Sequence, residues 1–343
     1  AMEFDDLDSF GLELTSDLFF SERATLLARS SIQATLSDKM LNDTAGLLVI
    51  PNDVRVTVGS IVYVEKTEIE AIMDGLELIN LTDFDALTFD PDTLFGTDYD
   101  LLFTSQSMQA TVSKPILDIA FDETAATGTT TLIVPTALRE SISVGLAATE
   151  QIELNELKQL LTSLDVLGIT DFVGGNFDAS SITTMTEANL TTMLLSGSLH
   201  VTLDNMLDDN DNISMTEYAE TDLLYGVLNL TTAEELVSFI LAANQLTSGN
   251  FTDADFDYTT ILGMTPENRL VVLHSMIVRF LITQELESLV ALKNIAVAPA
   301  GPFFTLNAED YESLDDVSAN RVFTEADILE IFKFMNDEVF ADD

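Results

Sequence analysis

Apolar positions along the chain fall into two alternating rhythms. Four segments carry large apolar residues at i, i+3 and i+4: Ile69, Ile72 and Met73; Leu157, Leu160 and Leu161; Leu236, Phe239 and Ile240; Ile328, Ile331 and Phe332. This spacing puts one stripe on one face and predicts four amphipathic helices packed on a core. Short runs of β character precede them. The first set is LLVIP (47–51), TLIVP (131–135) and IAVAP (295–299), each closed by a proline that cannot donate to a sheet ladder. The third segment offers only NIS (212–214) at that place. The second set is SIVYV (60–64), QIEL (151–154), VLNL (227–230) and RVF (321–323), and each flows straight into a helix.

A further helical pattern repeats almost word for word. SSIQATLSDKML (30–41) returns as QSMQATVSKPIL (106–117), more loosely as SGSLHVTLDNMLDD (196–209), and as an apolar pattern in LHSMIVRFLITQEL (273–286). Aligned on these stretches, Ile32, Met108, Leu199 and Ile277 share a column, and Gln33, Gln109 and His200 share the next. Met40, Met73 and Met108 stand where other copies have Ile or Leu, which reads as core filling.

Helix starts are also marked. Thr232 and Thr324 sit at N-cap positions, with Glu235 and Asp327 three residues on in a capping-box pattern, and Glu65 and Glu153 hold the equivalent place earlier. Glu68 and Glu156 follow, suited to the positive end of a helix dipole. After each of the first three helices comes a Phe-Asp linker: Phe84 with Phe89–Asp90, Phe172 with Phe177–Asp178, and Phe251 with Phe256–Asp257. Thr97, Thr186 and Thr265 then cap another helix, and Pro266 occupies a first helical position, where a missing N–H costs nothing.

The unit is therefore helix, strand, loop, strand, helix, linker, helix. The predicted fold is mainly α with short β-hairpins (α+β), built as imperfect tandem repeats that form an elongated array. Its boundaries fall at 1–96, entered part-way; 97–185; 186–264, with a degraded first strand; and 265–343, incomplete. Neither end has the polar outer face of a capping repeat, so the array is expected to continue both ways.

Charge narrows the choice of partner. The 343 residues hold 59 Asp and Glu against 13 Lys and Arg, a net of −46, yet 47% are hydrophobic. The chain can bury a core, while its surface repels phosphate backbones and anionic lipid. Nucleic acid is excluded as a partner on this ground. A salt-loving source, a cation-gathering surface and plain solubility each account for the acidity. The longest apolar stretch, LVVLHSMIVRFLI (270–282), is too short to span a bilayer and includes His274 and Arg279, so no membrane insertion is expected. AMEFDDLDSF lacks the features of a signal peptide.

Candidate chemistry is sparse. Without cysteine there is no disulfide, thiolate metal site or cysteine nucleophile. No Walker loop, G-x-S-x-G or H-E-x-x-H occurs, and the two histidines, His200 and His274, read as surface or boundary residues of helices. No catalytic residue is assigned, and the chain is read as no enzyme. Calcium is the favoured inorganic ligand, because hard cations take carboxylate and carbonyl oxygens. The densest run is LDDNDNIS (207–214), with Asp208, Asp209, Asp211 and Asn212 as candidate metal ligands. It has no glycine or terminal glutamate to complete an EF-hand loop, so the run reads first as a solvated acidic turn, with calcium binding as the alternative.

The S-x-I-x-A-T-[LV]-S helix, the L-[VI]-V-P run and the T-x-x-E-[IL] helix resemble repeat modules of very large bacterial cell-surface proteins, of low-GC Gram-positive or wall-less type. The resemblance implies an extracellular, non-catalytic segment with a structural or adhesive role. Its partner would be a protein or glycan on another cell or on the same surface. The alternative is a binding module that recognises a protein or glycan through the variable loops 52–59, 136–150 and 300–320.

Overall fold

The computed structural model describes residues 25, 27–42, 47–81, 91–119, 132–168, 182–208, 220–221, 229–246, 256–292, 324–326, 328–329 and 332–333. The first helix, α1 (Ser30–Leu41), is followed by strands β1 (Arg55–Val58) and β2 (Ile61–Val64) and by α2 (Lys66–Leu78). Next come α3 (Tyr99–Leu102), α4 (Gln106–Ile119), β3 (Arg139–Val144), β4 (Ala147–Ile152) and α5 (Leu154–Leu167). The chain continues through α6 (Glu187–Met193), α7 (Gly197–Asp208), β5 (Glu220–Thr221), β6 (Asn229–Leu230) and α8 (Ala233–Gln245). The last elements are α9 (Tyr258–Leu262), α10 (Pro266–His274) and α11 (Met276–Leu292), with further helical residues between 325 and 333. The fold is mostly helical, and its sheets are small antiparallel pairs: β1 with β2, β3 with β4, β5 with β6.

Compactness divides the chain into two units, Ala1–Phe177 with Leu195–Leu199, and Asp178–Leu194 with His200–Asp343. In the first, the predicted stripes form the core: Ile69, Ile72, Leu157, Leu160 and Leu161 are fully buried, and Met73 nearly so. Gly75 lets α2 approach α4, since a Cβ there would stand 2.9 Å from Met108 Cγ. In the second unit Leu236, Phe239, Ile240, Ile328 and Phe332 are buried in the same way. Phe239 packs on Phe256 with ring centroids 5.1 Å apart, and the Arg269 guanidinium lies over the Phe332 ring. The three methionines Met40, Met73 and Met108 are core residues.

Two of the first set of β-like runs are not strands: residues 47–50 and 132–134 are largely buried but belong to no ladder. Several of their polar groups meet side chains instead. Val49 N–H donates to Thr111 Oγ1 at 2.9 Å, the Arg55 guanidinium donates to Ile50 O, and Arg139 Nε donates to Val134 O at 2.9 Å. Pro51 and Pro135 then lead into single 3₁₀ turns, Asn52–Val54 and Thr136–Leu138. The first strands lie one step further on, β1 inside segment 52–59 and β3 inside 136–150, both read from the sequence as loops, while β2 falls in the predicted run SIVYV (60–64) and β4 ends in QIEL (151–154). Val58 pairs with Ile61, and Val144 with Ala147, so each hairpin closes over two residues. Gly59 at φ 68° and Gly145 at φ 61° supply the positive φ that a two-residue turn requires. The third hairpin is short, two residues to a strand, and Glu220–Thr221 is its first strand. The runs NIS, IAVAP and RVF, and the segment 300–320, lie outside the described residues.

Helix caps follow the threonine prediction at Thr186, Thr232 and Thr265. The hydroxyls of Thr186, Thr232 and Thr265 accept from Asn189, Glu235 and Asn268 N–H. At α3 the cap is Asp98, whose carboxylate accepts from Asp100 and Leu101 N–H, while Thr97 Oγ1 donates back to Leu94 O. Glu65 and Glu153 occupy N-cap positions without a side-chain cap bond.

Candidate functional site

Three glutamates share one geometry. Glu68 sits in the first turn of α2, yet its carboxylate reaches forward to the start of α4. Ser105 Oγ donates to Glu68 Oε1 at 2.6 Å and Ser107 N–H donates to the same oxygen at 2.8 Å. Glu156, in the first turn of α5, accepts from Ser196 Oγ at 2.7 Å, Gly197 N–H at 3.0 Å and Ser198 N–H at 2.9 Å. Glu235, in the first turn of α8, accepts from Ser275 Oγ at 2.7 Å and Ile277 N–H at 2.8 Å. Each serine hydroxyl also accepts from the N–H three residues on: Met108, Leu199 and Val278. A carboxylate is thus held against the positive end of a helix by charge-assisted bonds, across 37 to 40 residues of sequence. This bond set replaces the capping box expected at Glu235: the carboxylate is spent on the next helix. The serine register also moves the fourth member of the apolar column from Ile277 to Val278.

A second arrangement recurs on the same helices. Gln33 Nε2 donates to Val64 O at 3.0 Å, and Val64 N–H donates to Ser37 Oγ at 3.0 Å. Gln109 Nε2 donates to Ile152 O at 2.9 Å, and Ile152 N–H donates to Ser113 Oγ at 3.1 Å. His200 Nε2 lies 2.6 Å from Thr231 O, and Thr231 N–H donates to Asp204 Oδ1 at 3.0 Å. Side chains one helical turn apart thereby grip both polar groups of one backbone residue, as a neighbouring strand would. His200 is accordingly buried, not a surface residue, and its Nε2 carries the proton because a carbonyl can only accept. His274 is exposed at the end of α10.

These groups are occupied in holding backbone, and none is poised to react. Among the described residues no three His, Cys, Asp or Glu side chains gather as a metal site. Asp208 closes α7, and Asp209, Asp211 and Asn212 lie outside the described residues. Burial first, then the nearby Asp165 carboxylate, push the Tyr99 hydroxyl up to about 12.

The surface offers a different feature. On the β1–β2 hairpin Val56, Val58, Ile61 and Val62 are exposed, Val58 to 65% and Ile61 to 55%. On β3–β4 the turn residue Leu146 stands fully in solvent. Residues 52–59 and 136–150, singled out as recognition loops, are therefore small ribbons that display apolar side chains. Asn52 ties them within the first unit: its Nδ2 donates to Gly145 O, and Gly145 N–H donates to its Oδ1, both at 2.9 Å.

No protein-family model matches the chain, and no curated protein or solved structure matches it. Among the described residues no helix is long and apolar enough to cross a membrane.

Proposed function

We propose that the chain is a non-catalytic array of imperfect tandem repeats with a structural and adhesive role, at home on the surface of a bacterial cell. The observation that carries this reading is the carboxylate–serine clasp, met three times with the same atoms in the same roles. One such contact is ordinary capping; three at similar intervals are a device for joining successive units. In this reading the joined helices are the scaffold, and the hairpins are what the scaffold presents to a protein or glycan.

Hydrogen exchange tests the array. In repeat proteins neighbours are coupled and distant units are not. Glu156→Ala should therefore raise exchange in α5 and at the start of α7 while α10 and α11 keep their protection. A uniform rise through the chain would sink the array reading.

The recognition-module reading is favoured by the exposed Val58, Ile61 and Leu146, since apolar side chains on polar ribbons are characteristic of contact surfaces. Beads coated with the full chain should be retained by cells or glycans that it recognises. Val58→Asp with Ile61→Asp should abolish that retention without lowering the melting temperature. Unchanged retention would remove the hairpin from the adhesive role.

A further inference from the structure

We infer that the β1–β2 hairpin is the docking site for an extended strand of another protein, one that brings a carboxylate to Arg55. This rests on the recognition-module reading and names the chemistry that one hairpin takes.

The two longer hairpins are built alike and finished differently. Arg55 and Arg139 each open a first strand, and each guanidinium donates to a carbonyl five residues back, Ile50 O or Val134 O. Val64 and Ile152 face them across the ladders, and a helix serine takes the N–H of each. Counted from these pairs, Val56 stands where the other hairpin has Glu140, and Val62 where it has Glu150. In β3–β4 the cation is balanced, with Arg139 Nη1 3.2 Å from Glu150 Oε2. In β1–β2 it is not. Val62 brings no carboxylate, Arg55 Nε is buried without a hydrogen-bond partner, and among the described residues Arg55 has no ion pair. Burial lowers its pKa, as expected for a cation taken partly out of water. Residues 54–64 hold no Asp or Glu, in a chain that has 59 of them.

The backbone specifies a strand as the occupant. Val54 O accepts from Glu65 N–H across the hairpin, whereas Val64 turns its polar groups outward to Gln33 and Ser37. Antiparallel ladders alternate, so Val62 N–H and C=O point the same way as those of Val64. Among the described residues no group takes them, and that edge is open. Natural proteins guard such edges with charged side chains. Glu140 and Glu150 stand on β3–β4, whereas β1–β2 shows Val56, Val58, Ile61 and Val62 to solvent. An added strand would pair with Val62, cover the apolar side chains and send a carboxylate across Val62 toward Arg55. A free anion would answer Arg55 alone, and a second copy of this hairpin would bring only valines and another arginine. The rest of the partner strand is neutral or basic, because a chain of net charge −46 repels further acid.

The probes are short fluorescent peptides of alternating valine and threonine with lysine ends. Glutamate replaces each threonine in turn, and each such peptide has a glutamine counterpart. Titrated with the full chain, a glutamate peptide should bind saturably, and its glutamine counterpart about tenfold more weakly. Val62→Glu gives Arg55 the carboxylate that Arg139 already has, so it should erase this preference without lowering the melting temperature. Val62→Gln, the same shape without the charge, should preserve it. Bound peptide should also slow hydrogen exchange at the Val62 amide. No saturable binding, no preference for glutamate, or a preference that survives Val62→Glu overturns the inference. So does a Val62 amide already protected in the free chain, which would put a segment of the chain itself on that edge. A concentration-dependent dimer that Val62→Glu dissolves would assign the edge to a second copy and overturn it too. The retention assay with Val58→Asp and Ile61→Asp stands apart: retention lost there, with no peptide bound here, keeps the adhesive hairpin and rejects the strand partner.

Discussion

The clasps of the two compact units use the same atoms in different local settings. In the first unit, Glu156 is buried, accepts three hydrogen bonds and starts a helix whose N-cap residue, Glu153, makes no side-chain cap bond. In the second, Glu235 accepts two bonds in a part-buried setting, and Thr232 caps its helix through the Glu235 N–H. The cap satisfies one helix; the clasp ties that helix to the next. At Glu156 the cap bond is missing and the clasp is buried, and at Glu235 the cap bond is present and the clasp is part-buried.

The comparison breaks most visibly at Glu156. Glu156→Ala strands a buried hydroxyl and two buried N–H groups, and should cost about 4 kcal/mol in urea unfolding. Glu235→Ala strands fewer groups nearer to solvent and should cost about 2 kcal/mol in the same measurement. Equal losses would mean that burial does not distinguish the two clasps. Caps sharpen the contrast at lower amplitude. Thr232→Ala should cost about 1 kcal/mol, whereas Glu153→Ala at the equivalent place should stay within about 0.5 kcal/mol. A large loss at Glu153 would assign it a capping role that the hydrogen bonds lack.

The smallest effect belongs to the first unit alone. Folding pushes the Tyr99 hydroxyl up to about 12 from the ordinary 10.0, so the folded state keeps a proton that the unfolded chain releases. Stability from this group is complete below pH 10 and is lost as pH rises through about 12. Because the ring is only half-buried, solvent screening keeps the effect modest. Alkaline melts of the parent and of Tyr99→Phe check it: the parent should lose more stability between pH 10 and 12. Parallel curves would place the tyrosine in an ordinary environment.

What could be read from sequence was what periodicity encodes. Ile69, Leu157, Leu236 and Ile328 were aligned by spacing alone and are all fully buried. The small hairpins were expected, and their second strands fall on the predicted runs SIVYV, QIEL and VLNL, but their first strands do not fall on LLVIP and TLIVP. VTVGSIVYV holds a Gly-Ser turn between alternating residues, a hairpin signal outweighed by the denser apolar run LLVIP. That run is apolar because it is largely buried, and side chains of Thr111 and Arg55 meet part of its backbone where a neighbouring strand was expected. The clasps were hidden for another reason. Glutamate in a helix's first turn has an adequate local explanation in the helix dipole, and nothing local reveals a partner some 40 residues away. The serines Ser105, Ser196 and Ser275, each a fixed step before the repeated apolar column, were the available signal. His200 was misplaced because a histidine in a glutamine column reads as polar surface, whereas that column faces a strand-end carbonyl.

The interval spanned by each clasp also imposes an order on synthesis. Glu68 cannot be satisfied until Ser105 has been made, 37 residues later; Glu156 waits for Ser196 and Glu235 for Ser275, 40 residues each. At ribosomal speeds of about 5–20 residues per second, each closure lags its helix by about 2–8 seconds. A nascent chain would therefore close its clasps in order from Glu68 to Glu235, each carboxylate waiting on a serine not yet made.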